Sequence, residues 1–135
     1  AGAAGGMGYG MLCFLGAGLK MGIETVLDTV DFERKLGGAD CVFTGEGKID
    51  SQSLHGKVVI GVARRAQKAG VPVIAVVGDA ADGSENAYEC GVSAIFSINR
   101  LAVPFSEAKN RAEKDLEHTF KDILRLMRVC GKYKS

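Results

Sequence analysis

The chain has 135 residues, 47% of them hydrophobic and 24% charged. That is enough to bury a core without a disulfide or zinc staple and too apolar for disorder or a coiled coil. Seventeen basic against sixteen acidic side chains leave a net charge of +1, which gives no electrostatic footprint for nucleic acid or an anionic membrane.

Glycine is the outlier, with 19 residues beside only two prolines, so parts of the chain need close backbone approach or positive φ. Four cysteines, at 13, 41, 90 and 130, show neither CxxC nor Cys/His ligand spacing, which argues against structural zinc and a dithiol redox centre. Cys13 and Cys41 lie in apolar runs, where a free thiol behaves as a small hydrophobe. A reduced, cytoplasmic location is expected.

The first stretch, Ala1 to Leu19, carries no charge and has the length of a membrane span. Seven of its nineteen residues are glycine, too little hydrophobic bulk for a bilayer. A phosphate-approach loop running into a buried helix is the better reading. The glycines of AGAAGGMGYG, Gly5, Gly6 and Gly8 among them, suit a nest of amides around an anion, or else a tight helix-packing segment.

Ile23, Val26, Leu27 and Val30 then recur at helical spacing. Asp31 can cap a further turn bearing Phe32 and Leu36, which Gly37-Gly38 ends. Three continuous apolar runs follow, Cys41 to Thr44, Val71 to Val77 and Ala94 to Ile98, as expected of parallel strands covered on both faces. Gly45 is expected to break the first.

Between the strands, Val58, Val59, Val62, Ala63 and Ala66 form a helical face, with Arg64, Arg65 and Lys68 outside and Gly70 closing the helix. A shorter helix is expected from Ser84 to Cys90. Ser106 opens a long helix whose apolar side holds Ala108, Ala112, Leu116, Phe120, Ile123, Leu124 and Met127. Arg125 and Arg128 favour its dipole end, and Gly131 terminates it. The order predicts an α/β fold, a Rossmann-like parallel sheet with right-handed crossovers and flanking helices. Three strands are few for such a sheet, so either further strands escape the apolar-run reading or other chain segments complete the sheet as part of a larger fold.

Open α/β sheets bind ligands beyond the carboxyl ends of their strands, which points to the segments from Gly45 to Ser53, Gly78 to Gly83 and Asn99 to Pro104. The first is the richest: TGEGKIDSQSLHGK, Thr44 to Lys57. Gly45 and Gly47 allow backbone approach, while Glu46, Lys48, Asp50 and Lys57 add charge of both signs. Phosphoryl transfer needs such a mixture: a carboxylate for Mg²⁺ or a proton, a cation for phosphate oxygens, amides at a helix start. A polar loop with two helix-capping residues explains the spacing equally well. Neither the P-loop nor the GxGxxG pattern is satisfied.

His55 beside the helix start suits a ligand contact less well than capping or packing. His118 falls on the solvated side of the long helix. Asp79 and Asp82 suit a turn ending in Gly83, although the strand end also admits a ligand role.

These residues resemble a known family. AGAAGGMGYG, GIETVLD, ADCVFTGEGKIDSQSLHGK and GVPVIAVVGD are similar to bacterial glycerate kinases of the two-domain type, from the first residue to about Arg100 and more loosely through the terminal helix. The resemblance implies a cytoplasmic kinase that phosphorylates glycerate with ATP and Mg²⁺. It also implies that this chain is a carboxyl-terminal portion, with residues 1–22 belonging to or adjoining a second domain and 23–135 forming part of the Rossmann-like domain.

Position by position, Gly45, Glu46, Gly47, Lys48, Asp50, Gln52 and Lys57 match the signature, with Lys48 where the family more often has arginine. Asp50, Glu46 and Lys48 are the catalytic candidates, with Asp50 and Glu46 also the metal candidates. Gly5, Gly6, Gly8, Gly45, Gly47, Gln52 and Lys57 are the binding candidates. The 135 residues alone are expected to be inactive and to self-associate. The alternative is a non-catalytic domain that binds a small molecule or phosphate.

Overall fold

The computed structural model describes residues 3–15, 18, 21–50 and 58–131. Helix α1 (Ala3–Leu15) comes first, then α2 (Gly22–Thr29) and the short α3 (Phe32–Leu36). After these come β1 (Val42–Ile49), α4 (Val58–Lys68), β2 (Val73–Ala80), a single 3₁₀ turn at Ser84–Ala87, β3 (Ala94–Ser97) and α5 (Phe105–Val129). The three strands form one parallel sheet in the order β1-β2-β3. The fold is therefore the α/β class read from the sequence.

The core lies between α4 and one face of the sheet. Val59, Ile60, Ala63 and Ala66 meet Val73, Ala75 and Val77, with Ile49 and Leu36 joining them. Burying each large aliphatic side chain stabilises the fold by roughly 1.5–3 kcal/mol. The expected helix face shifts slightly, because Ile60 is buried while Val58 is exposed.

Arg65, expected outside, is 13% exposed and is held by three carboxylates. It pairs with Glu33 of α3, and with Asp28 of α2 at 2.6 Å and Glu24 of α2 at 3.5 Å. The guanidinium fork thus clamps α2 and α3 to α4. The hydrogen bond from Arg65 is the main reason the Glu33 carboxyl titrates below the usual glutamate range. The same bond pushes the guanidinium pKa up.

Helix α5 lies against the other face of the sheet, where the rings of Phe43 and Phe120 sit 5.1 Å apart. Its buried stripe differs from the expected one. Asp115, Thr119 and Ile123 are buried, whereas Leu116 and Leu124 are 39% and 45% exposed. The helix is rotated so that a charged residue faces inward, and Arg111, one turn earlier, pairs with Asp115 at 3.2 Å. Buried carboxylates need such a partner.

The stretch from Ser84 to Cys90 makes one 3₁₀ turn and further turns instead of an α-helix, bracketed by the positive φ of Gly83 and Gly91. At the amino-terminal end, α1 forms from Ala3 onward, so the expected loop is helical. The expected burial is absent too, since Met7, Met11, Leu12, Phe14 and Leu15 are all exposed. Cys13 is likewise exposed, and none of the four cysteines forms a disulfide among the described residues. Asp31 precedes α3 in a left-handed conformation without capping it through its side chain, and pairs with Arg34 at 2.8 Å instead.

Candidate functional site

The TGEGKI segment was expected to leave the sheet at Gly45, but β1 runs through it to Ile49 and β2 runs through Gly78 and Asp79 to Ala80. Two glycines explain the extension. A Cβ on Gly45 would lie 2.4 Å from the Val76 carbonyl oxygen, and one on Gly78 would lie 2.3 Å from that of Gly47. These positions let neighbouring backbones approach each other, so Gly45 and Gly78 serve strand packing. Gly47 is different: a Cβ there would meet nothing within 4 Å.

The parallel register puts Lys48 of β1 directly opposite Asp79 of β2. Both line a cleft of about 310 Å³ between the carboxyl ends of the strands and the first half of α5. Gly47, Gly78 and Asn99 complete its strand side, and Phe105, Ala108, Lys109, Ala112 and Asp115 form its helical wall. Ile98 and Val103 add apolar surface.

The other carboxylates divide. Glu46 is half-buried, and its Oε1 accepts a hydrogen bond from the Val59 amide in the first turn of α4, at 3.3 Å. A carboxylate there complements the helix amides and dipole. Asp50 follows directly after β1 and is half-buried.

Gln52, Ser53, His55 and Lys57 lie outside the described residues. Gly5, Gly6 and Gly8 are part of α1, with Gly5 at φ 66°.

Among the described residues, no group of three or more His, Cys, Asp or Glu side chains is placed to hold a metal ion. Mg²⁺ does not need one, because it binds through one or two carboxylates together with water and substrate phosphates. The carboxylates at the ends of β1 and β2 fit that donor set.

Sequence reasoning named Lys48 and the segment containing Asn99, and kept Asp79 open. It missed Phe105, Lys109 and Asp115. The available signal was Asp115 itself, a charge interrupting the Ala108, Ala112, Thr119, Ile123 stripe with Arg111 four residues before it.

A parallel α/β sheet with a mixed cleft at its carboxyl edge has the architecture of a small-molecule-binding α/β protein. Residues 1–128 match the model of the glycerate kinase family, and the chain belongs to that family. It is 49% identical over 123 residues to a glycerate kinase of Bacillus subtilis, covering 91% of this chain and 32% of that protein. It is also 49% identical over 98 residues to a glycerate 2-kinase of Escherichia coli, covering 73% of this chain and 26% of that protein.

In structure it resembles a putative glycerate kinase 2 of Salmonella typhimurium, with a TM-score of 0.70 and 38% identity. That match covers 98% of this chain and 33% of the other. The chain thus spans about a third of the length of the relatives it matches. No helix among the described residues is long and apolar enough to cross a membrane.

Proposed function

We propose that these residues form part of an enzyme that transfers the terminal phosphoryl group of ATP to a hydroxyl of glycerate. One juxtaposition carries the reading. In a chain of the glycerate kinase family, Lys48 and Asp79 face each other across neighbouring strands beside the carboxyl-edge cleft. Phosphoryl transfer depends mainly on positioning and charge neutralisation. Lys48 supplies a cation for phosphate oxygens, and the open backbone at Gly47 admits close approach.

Asp50 is assigned to accept the proton of the attacking glycerate hydroxyl as the oxygen–phosphorus bond forms and ADP leaves. Asp79 and Glu46 are the carboxylates available to hold Mg²⁺, which neutralises phosphate charge when bound. One oxygen of Glu46 is already engaged by α4, so Glu46 also anchors that helix. Gln52 and Lys57 keep the binding roles that the signature implies, as do Gly5, Gly6 and Gly8 toward an anion. The relatives are about three times as long, so the complete activity is assigned to the whole enzyme.

Phosphorus NMR on full-length protein incubated with ATP, Mg²⁺ and glycerate tests this. ADP and phosphoglycerate should appear in equal amounts. Absence of ADP formation would favour the non-catalytic binding domain, and ADP formation that does not depend on glycerate would refute glycerate as the acceptor.

A further inference from the structure

The cleft is chemically lopsided. Its strand side is polar, with Lys48, Asp79 and Asn99, while Ile98, Val103, Phe105, Ala108 and Ala112 give it an apolar wall. At about 310 Å³ it falls at the lower end of the about 300–1,000 Å³ typical of small-molecule and cofactor clefts. A three-carbon hydroxy acid bears oxygen on every carbon, and pressing it against Phe105 and Val103 strips water from polar groups without replacing those bonds. A purine ring has the opposite character, with flat apolar faces and a hydrogen-bonding edge.

We propose that this cleft holds the nucleoside part of the phosphate donor, with the base against Val103 and Phe105, and that the hydroxy acid binds elsewhere along the carboxyl edge. The assignment rests on the ATP-dependent reading above. Asn99 carries both a donor and an acceptor, the pair that a purine edge requires. Asp115 is only 5% exposed and is oriented by Arg111 at 3.2 Å. It offers a fixed acceptor for sugar hydroxyls, the role acidic residues play in dinucleotide folds. Lys48 and Lys109, from opposite walls, supply the charge for phosphates.

The test uses AMP, which carries no transferable terminal phosphate, and glycerate, each titrated separately into full-length protein by calorimetry. Two variants are compared with the wild type. Phe105→Ala removes a side chain that is 81% exposed and therefore spares the core. Ala112→Leu fills the cleft, and far-UV circular dichroism monitors its fold. Both variants should weaken AMP binding by about tenfold or more and leave glycerate binding unchanged. The inference is overturned if glycerate binding falls while AMP binding holds, if neither variant moves AMP binding, or if AMP does not bind the wild type.

The two readings fail separately. A protein that binds AMP in this cleft but makes no phosphoglycerate refutes the kinase reading and retains the cleft assignment. One that makes phosphoglycerate, with a KM for ATP unaffected by both variants, does the reverse.

Discussion

Gly78→Ala isolates the contact that lets β1 and β2 run together to the site. The new Cβ would sit 2.3 Å from the Gly47 carbonyl oxygen, a rigid backbone atom of the facing strand. Restoring an ordinary van der Waals contact requires the strands to part by about 1 Å, which carries ladder bonds of about 2.9 Å beyond hydrogen-bond reach. Overpacking costs roughly 1–3 kcal/mol, and each lost backbone bond adds about 1 kcal/mol. The reduced freedom of the unfolded chain returns roughly 0.4–1 kcal/mol.

The net expectation is a loss of about 3 kcal/mol, or roughly 10 °C in melting temperature for a domain of this size. Gly47→Ala is the internal control. Its Cβ meets open space, so only the unfolded-state term acts, and stability should hold or rise by about 0.5 kcal/mol. Urea titration followed by far-UV circular dichroism measures both. Equal stabilities for the two variants would refute the strand-packing explanation.

Gly61→Ala should cost about 2 kcal/mol by overpacking, because its Cβ would lie 2.6 Å from the Ile23 side chain. Adding Ile23→Ala should recover part of that loss, and strict additivity in a double-mutant cycle would rule out the contact. The Arg65 clamp predicts a pH dependence. Since the folded pKa of Glu33 is depressed, its contribution is present above the ordinary glutamate range and lost as pH falls through the folded value. The urea midpoints of wild type and Glu33→Gln should therefore differ at pH 7 and converge in acid, and a gap that persists in acid would contradict the clamp. Light scattering on the isolated 135 residues should give a mass above the 14.2 kDa monomer. Phe14, Leu15 and Val129 are 86%, 74% and 86% exposed, and such apolar surface is commonly buried by association. A stable monomer would overturn that expectation.

The apolar runs located all three strands, because parallel strands buried on both faces leave an uninterrupted hydrophobic record. Their carboxyl ends were harder to read. Gly45, Gly47 and Gly78 look like breakers along the chain, and only the partner strand reveals that two of them are places of close approach. The fate of Arg65 was hidden for a similar reason, since its carboxylates come from Glu24, Asp28 and Glu33, more than thirty residues away. On α5 the apolar side read from the sequence included Leu116 and Leu124, whereas packing leaves both exposed and buries Asp115 and Thr119. Lys48 was legible from its charge within a glycine-rich signature. Phe105 and Lys109 become site residues only when α5 closes the cleft.

Turnover of Asp50→Asn in the full-length protein tests the central claim, that the carboxyl edge of β1 and β2 performs phosphoryl transfer. Neutralising the carboxylate while keeping its shape should leave the circular dichroism spectrum and melting temperature nearly unchanged. With saturating ATP, Mg²⁺ and glycerate, kcat should fall by roughly a hundredfold or more. A variant that folds normally and turns over at close to the wild-type rate would contradict the account.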